Sequence, residues 1–329
     1  MKILIFPTVI SVAVGVLAFL WGGFQTLFLV ALLAILETTL SFDNAVVNAK
    51  VLARMDERWQ RRFLVWGIPI AVFGTRFVLP ILIVSAAASL SPLSVALLAF
   101  FEPSEYGARL AEAHVAIAAF GSAFLLLVSL KYFFNDRKTV HWIEAIERHM
   151  SRWGGIEAIE IAVVLSVLLL CAFILPTEAA VLLVAGLLGA VLFILIEGIA
   201  QSFQVEAKAS IAGAGLALFV YLNVLDSAFS LDGVVGAFAI TSNLPAIIAG
   251  LGIGALFVRA FTVMLVRAKT LDTLPYLEHG AHWAIFGLAI AMLLGIFIHV
   301  PEVLTGLIGL ALITLSYMSS RKEIRRLSS

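Results

Sequence analysis

The sequence predicts an all-α protein, a polytopic transmembrane bundle of about ten helical spans arranged as two inverted five-helix repeats. Three observations lead there: the apolar content, the one-sided placement of basic residues, and an acidic motif that occurs twice. Of 329 residues, 62% are apolar and 13% charged, and the mean hydropathy is +1.11. A soluble domain could not keep that much apolar surface from water. The formal net charge is zero, which argues against a nucleic-acid partner, because phosphate binding needs an excess of Lys and Arg on one face. The single cysteine, Cys171, excludes an intrachain disulfide and a four-thiolate metal site.

A bilayer span takes roughly twenty mostly apolar residues. The qualifying segments are 3–21, 25–50, 62–86, 114–134, 157–175, 179–197, 211–238, 245–266, 282–299 and 302–318. The first follows Lys2 as a signal peptide would, but no small-residue cleavage site in a polar context follows it, so it is read as a helix. Ten spans put all 21 Lys and Arg on one side except Arg109, which falls opposite, and Arg76 and Arg259, which lie within spans. That asymmetry is the positive-inside signature and predicts cytoplasmic termini. Between spans three and four, the apolar stretch Pro92 to Phe101 is too short to cross and reads as re-entrant or interfacial. In segment 135–155, Trp142, Ile146, Met150 and Trp153 recur at helical spacing opposite charged residues, which suits a helix lying on the membrane surface. The histidines, His279 and His282 among them, read as interfacial groups.

Span two contains Glu37-Thr-Thr-Leu-Ser41-Phe-Asp43-Asn44, and span seven contains Asp226-Ser-Ala-Phe-Ser230-Leu-Asp232-Gly233. Acid, serine and acid recur at one spacing. Gly67 and Arg76 in span three are nine apart, as are Gly250 and Arg259 in span eight, and Glu112 before Phe120-Gly121 is echoed by Glu278 before Phe286-Gly287. Corresponding helices are five spans apart, so the halves, 1–156 with the surface helix and 157–329, cross the membrane in opposite senses. Transporters built this way place their substrate near the midplane on interrupted helices.

A carboxylate at the bilayer centre costs at least about 2.5 to 3.5 kcal/mol. Glu37, Asp43, Asp226 and Asp232 are therefore the candidate ion ligands, with Arg76 and Arg259 as partial counter-charges. Four carboxylates against two guanidiniums leave two negative charges, which one divalent cation would cancel. Carboxylate, hydroxyl and amide oxygens without thiolate suit manganese, magnesium or calcium and disfavour copper and zinc. At 100° per residue Glu37, Ser41, Asn44 and Asn48 share one stripe and Asp43 points about 120° away. For both acids of each pair to reach one ion, the helix must unwind near Ser41 to Asn44 and near Ser230 to Gly233. No HExxH, Walker or GxSxG pattern occurs, so no enzyme template and no ATP-driven mechanism is supported, and no prosthetic group is called for. Two alternatives stay open: an intramembrane enzyme acting on a lipid or phosphate, and an accessory membrane subunit.

The run Glu37 to Ala49, with Trp66-Gly67, Arg76 and Leu225 to Asp232, resembles the TerC family of integral membrane proteins, in its longer TerC-like branch. The resemblance implies a place in the lysine-exporter superfamily and a link to tellurite resistance and manganese export. It implies that Glu37, Asp43, Asn44, Asp226 and Asp232 form the ion site, with manganese as substrate rather than cofactor. The expected setting is the bacterial cytoplasmic membrane, with membrane lipid as the surrounding partner; the sequence sets no oligomeric state. Asn44 has no amide counterpart in the second half, where Gly233 stands.

Overall fold

The computed structural model describes residues 2–88, 90–206, 211–298 and 300–328, and no strand occurs among them. In chain order the helices are α1 (Lys2–Leu40), α2 (Phe42–Leu52), α3 (Glu57–Pro69), a π-helical stretch (Ile70–Val78), α4 (Leu79–Ala88), α5 (Pro92–Phe101), α6 (Pro103–Glu112), α7 (His114–Phe133) and α8 (Glu144–Trp153). They continue as α9 (Ile159–Ile174), α10 (Ala179–Glu206), α11 (Ile211–Ile240), α12 (Leu244–Arg267), α13 (Thr270–Thr273), α14 (Leu277–Gly295) and α15 (Glu302–Ser328).

Among the described residues, six helices are long and apolar enough to cross a membrane, and a seventh results if Glu57–Gly67 and Ile70–Ala86, bent by 50°, count as one span. Their outward faces carry exposed Leu20, Phe24, Leu188 and Leu195, which only a lipid solvent makes favourable. The chain is a helical membrane protein. Sequence segments 3–21 and 25–50 form two helices that meet at a kink inside α1, where Gly22 and Gly23 leave helical geometry; the second of them ends at Leu40, short of residue 50. Gly23 takes φ 66° and ψ −161°, a conformation that essentially only glycine adopts. Segment 157–175 becomes α9, whose 16 residues are shorter than the usual span.

Local chemistry explains the other breaks. Asp56 caps α3 by accepting from the N–H of Trp59 at 2.9 Å, and Asn243 caps α12 by accepting from the N–H of Ala246 at 3.1 Å, with Pro245 in the first turn of the helix. Pro69 has no N–H to give to the preceding turn; after it the register slips to the wider π form, closed where Leu79 N–H donates to Gly74 O. The stretch Pro92 to Phe101, with α6, forms a helical hairpin packed on α4, with Val95, Ala99, Tyr106 and Leu110 buried.

Helix α7 is the central element, with Phe124, Leu125 and Leu127 fully buried and α10, α11 and α14 around it. Helix α1 lies along α12, and the short α2 enters the middle of the bundle among α11, α12 and α14.

Candidate functional site

Residues from α1, α2, the π stretch, α11 and α12 bring charge into the apolar interior. The chain leaves α1 at Leu40, turns at Ser41 and restarts as α2. The turn has a local cause: Asp43 Oδ1 accepts the N–H of Asn44 at 2.9 Å, and the Ser41 hydroxyl donates to Glu37 Oε1 at 3.1 Å, side-chain bonds that compete with the helix ladder. Glu37, Ser41, Asp43 and Asn44 are 2%, 6%, 5% and 4% exposed. Together with Gly233, Thr305 and Gly306 they line a cavity of about 30 Å³, enough for one or two water-sized species.

Each arginine pairs with the first acid of its own half. Arg76, aimed by the π stretch, donates to Glu37 Oε1 and, through Nη1, to Ala71 O at 2.9 Å. Arg259 Nη2 stands 3.4 Å from Asp226 Oδ2, its Nη1 donates to Phe63 O at 3.2 Å, and its guanidinium lies 4.3 Å over the Phe63 ring. Both pairs are buried, so each holds only because the partner charge offsets a large desolvation cost. Two glycines make the room. A Cβ at Gly254 would stand 2.5 Å from Glu37 Cβ, and one at Gly67 2.7 Å from Arg259 Cζ.

The three acids whose side chains are described, Glu37, Asp43 and Asp226, do not meet as one group. Asp226 is bonded by Asn48 Nδ2 at 3.4 Å and by Arg259, whereas Glu37 and Asp43 face the small cavity. Among the described residues no three His, Cys, Asp or Glu side chains converge to hold a metal ion. The Asp232 side chain lies outside the described residues. Helix α11 runs unbroken through Ser230 and Gly233, so the second expected unwinding is absent. One glycine costs a helix about 1 kcal/mol but does not break it.

A larger cavity of about 620 Å³ opens at the end of the bundle formed by α6, the start of α7 and the ends of α11 and α14; it shares Leu40 and Thr305 with the small one. At the opposite, basic end a cavity of about 210 Å³ is lined by Lys50, Arg54, Lys131, Glu197, Glu278 and His282 among others.

The basic end also carries a charged cluster that the sequence did not reveal. Glu147 on α8 is wholly buried and accepts from His279 Nδ1 at 2.6 Å, Trp283 Nε1 at 2.9 Å and Lys138 Nζ at 3.0 Å. Burial alone would raise its carboxyl, but His279, Trp283 and Lys138 outweigh burial and hold it at about 2. Burial in turn pulls the Lys138 ammonium below the ordinary lysine range, against the opposing pull of Glu147. Thus α8 turns Glu147 to the bundle and leaves Ile146 and Trp153 exposed, and His279 and His282 are buried rather than interfacial. His299 lies outside the described residues.

The fold and this interior define a class: polytopic helical membrane proteins with paired acids and arginines buried between helices. The chain belongs to the family described as protein of unknown function, DUF475, whose model matches residues 42–327. The match takes in Asp43, Arg76, Asp226, Asp232 and Arg259 and begins after Glu37. No curated protein and no solved structure matches the chain.

Proposed function

We propose that this protein is a secondary transporter of a divalent metal ion, manganese first among the candidates, carrying it out of the cytoplasm. The observation that carries the reading is the small cavity in the apolar interior, bounded by the carboxylates of Glu37 and Asp43, the Ser41 hydroxyl and the Asn44 amide. Its volume fits a single ion stripped of most of its water. The ligands these residues can offer a metal are carboxylate, hydroxyl and amide oxygens, the set that hard divalent cations prefer. Carboxylates in such a place are costly unless a function retains them. The Asn44 Oδ1 is buried without a partner, so the cavity presents an acceptor that a cation would satisfy.

Manganese, rather than magnesium or calcium, rests on the TerC resemblance. The reading keeps ten spans in two inverted repeats; what speaks for the repeat is that each arginine pairs with the first acid of its own half of the sequence. In this reading Asp232 joins the site from α11, the basic end faces the cytoplasm, and the protein sits in the bacterial cytoplasmic membrane. Carboxylates crowded in low dielectric do not all stay ionised without a cation, so metal entry displaces a proton, and inward proton flow drives metal outward.

Calorimetry of Mn²⁺ binding to the purified protein, run in buffers of different ionisation enthalpy, tests this. The reading expects binding whose apparent enthalpy varies with buffer and which is lost in Asp43→Asn. Binding with a buffer-independent enthalpy would remove the proton coupling, and no binding would remove the site.

A further inference from the structure

Four buried oxygens with no hydrogen-bond partner lie on the facing helices α2 and α11: Oδ1 of Asn44, Asn48 and Asn223, and Oγ of Ser230. All four residues are more than nine-tenths buried. An unpaired buried acceptor costs about 1 to 3 kcal/mol, so four on one pair of helices call for a common cause.

Their order along the helices supplies one. Val51 shares a core cluster with Leu218 and Leu222, Asn48 bonds Asp226, and Glu37, one turn before α2, faces Gly233. The two helices therefore run antiparallel, with Asn44 at the level of Ser230, Asn48 at the level of Asp226, and Asn223 one turn further towards the basic end. Asn44 and Asn48 are four apart, and Asn223, Asp226 and Ser230 are three and four apart, so each set forms one stripe. The seam starts at the small cavity, which Asn44 lines, and ends beside the cavity at the basic end, which Val47, Lys50 and Val51 of α2 and Leu218 and Tyr221 of α11 line.

We infer that this seam is the path between the two cavities and that Asp226 with Asn48 forms a second cation station on it, separate from the Glu37–Asp43 cavity. The inference rests on the transporter reading. Among the described residues, the two hydrogen-bond partners of Asp226 stand at 3.4 Å, near the limit of a hydrogen bond. An arriving cation brings the positive charge that Asp226 would lose on parting from Arg259, so the carboxylate can exchange these long bonds for a metal ligand role. Asn48 Nδ2 then leaves Asp226, and a turn of the amide offers Oδ1 as a ligand in place of a hydration water. Ser230 and Asn223 supply neutral oxygens above and below, so that the ion is never bare between stations and never held by charge alone.

The test is Asn48→Leu, which keeps the volume and removes the oxygen, with Asn48→Ser, which restores an oxygen. Mn²⁺ binding to purified protein and Mn²⁺ flux in liposomes are measured for both. The expected result is that Asn48→Leu keeps Mn²⁺ binding at the Glu37–Asp43 cavity within threefold of wild type, loses the binding at Asp226 and moves the ion at least tenfold more slowly, and that Asn48→Ser recovers much of the rate. Flux at the wild-type rate in a monodisperse Asn48→Leu overturns the path. Loss of all binding together with flux overturns the second station, since Asn48 then belongs to a single site. Should Asn48→Leu not be monodisperse, Ser230→Ala, which deletes one partnerless oxygen, decides by the same flux criterion. Wild-type protein that moves no metal overturns the transporter reading itself, and the path with it.

Discussion

Gly67 has no side chain because the guanidinium of Arg259 occupies the place where one would be. In Gly67→Ala the new Cβ would stand 2.7 Å from Arg259 Cζ and 3.0 Å from Nη2, both well inside van der Waals contact. The guanidinium must move, and movement separates it from Asp226, already at 3.4 Å, and from Phe63 O at 3.2 Å. Overpacking costs about 1 to 3 kcal/mol, and breaking a buried ion pair about 3 to 5 kcal/mol. The methyl's gain in helix propensity returns about 1 kcal/mol. The expected net loss is therefore about 3 kcal/mol or more, a fall of roughly 6 °C or more in apparent Tm at about 2 °C per kcal/mol. Gly252→Ala is the control, because its Cβ would meet only Val72 at 3.6 and 3.7 Å, and it should leave Tm unchanged or slightly raised. The assay is thermal unfolding of detergent-purified protein followed by size-exclusion fluorescence. Equal Tm for the two variants would refute the idea that Gly67 exists to seat Arg259.

Asp43→Asn and Asp232→Asn should abolish metal transport while leaving expression and membrane insertion intact, checked by flux assay and membrane yield. Arg76→Ala should lower both yield and activity, since it leaves Glu37 buried without its cation; normal yield would detach Arg76 from the site. The docking of α8 should depend on acid pH. Glu147 is held at about 2 against an ordinary 4.5, so its contribution, about 3 kcal/mol, is fully present above about 4.5 and fades as pH falls towards 2. Proteolysis or hydrogen exchange of segment 135–155 should accelerate below pH about 4.5 in wild type, and Glu147→Gln should show the loosened behaviour at neutral pH.

The interruption at Ser41 was legible because Glu37 and Asp43 lie about 120° apart on an ideal helix, and because short polar side chains there compete for backbone bonds. The same argument failed at Gly233, where glycine weakens the helix without offering the backbone another partner, and α11 stays whole. The pairing of Arg76 and Arg259 with buried acids was legible from cost alone, since an unneeded charge does not persist in a span. Which acids would share one cavity was not, because helical phase gives a direction and says nothing of the neighbour that direction meets. On α8 the apolar stripe was legible as the side a membrane surface would take, and Ile146 and Trp153 are exposed. The face that needed explaining was the one with Glu147, whose partners His279 and Trp283 are four apart on α14 but more than a hundred residues away in sequence. The π stretch had only Pro69 as its local sign, and proline alone does not distinguish a kink from a π turn.

The central claim is that the buried acids carry a divalent ion across the membrane, and flux through the purified protein alone tests it most directly. Liposomes containing wild-type protein and an enclosed Mn²⁺-quenched dye are exposed to external Mn²⁺, with and without an opposing proton gradient. The account requires quenching that depends on the protein, quickens with the gradient and vanishes in Asp43→Asn. Monodisperse, correctly inserted wild-type protein that passes neither Mn²⁺, Mg²⁺ nor Ca²⁺ would contradict it.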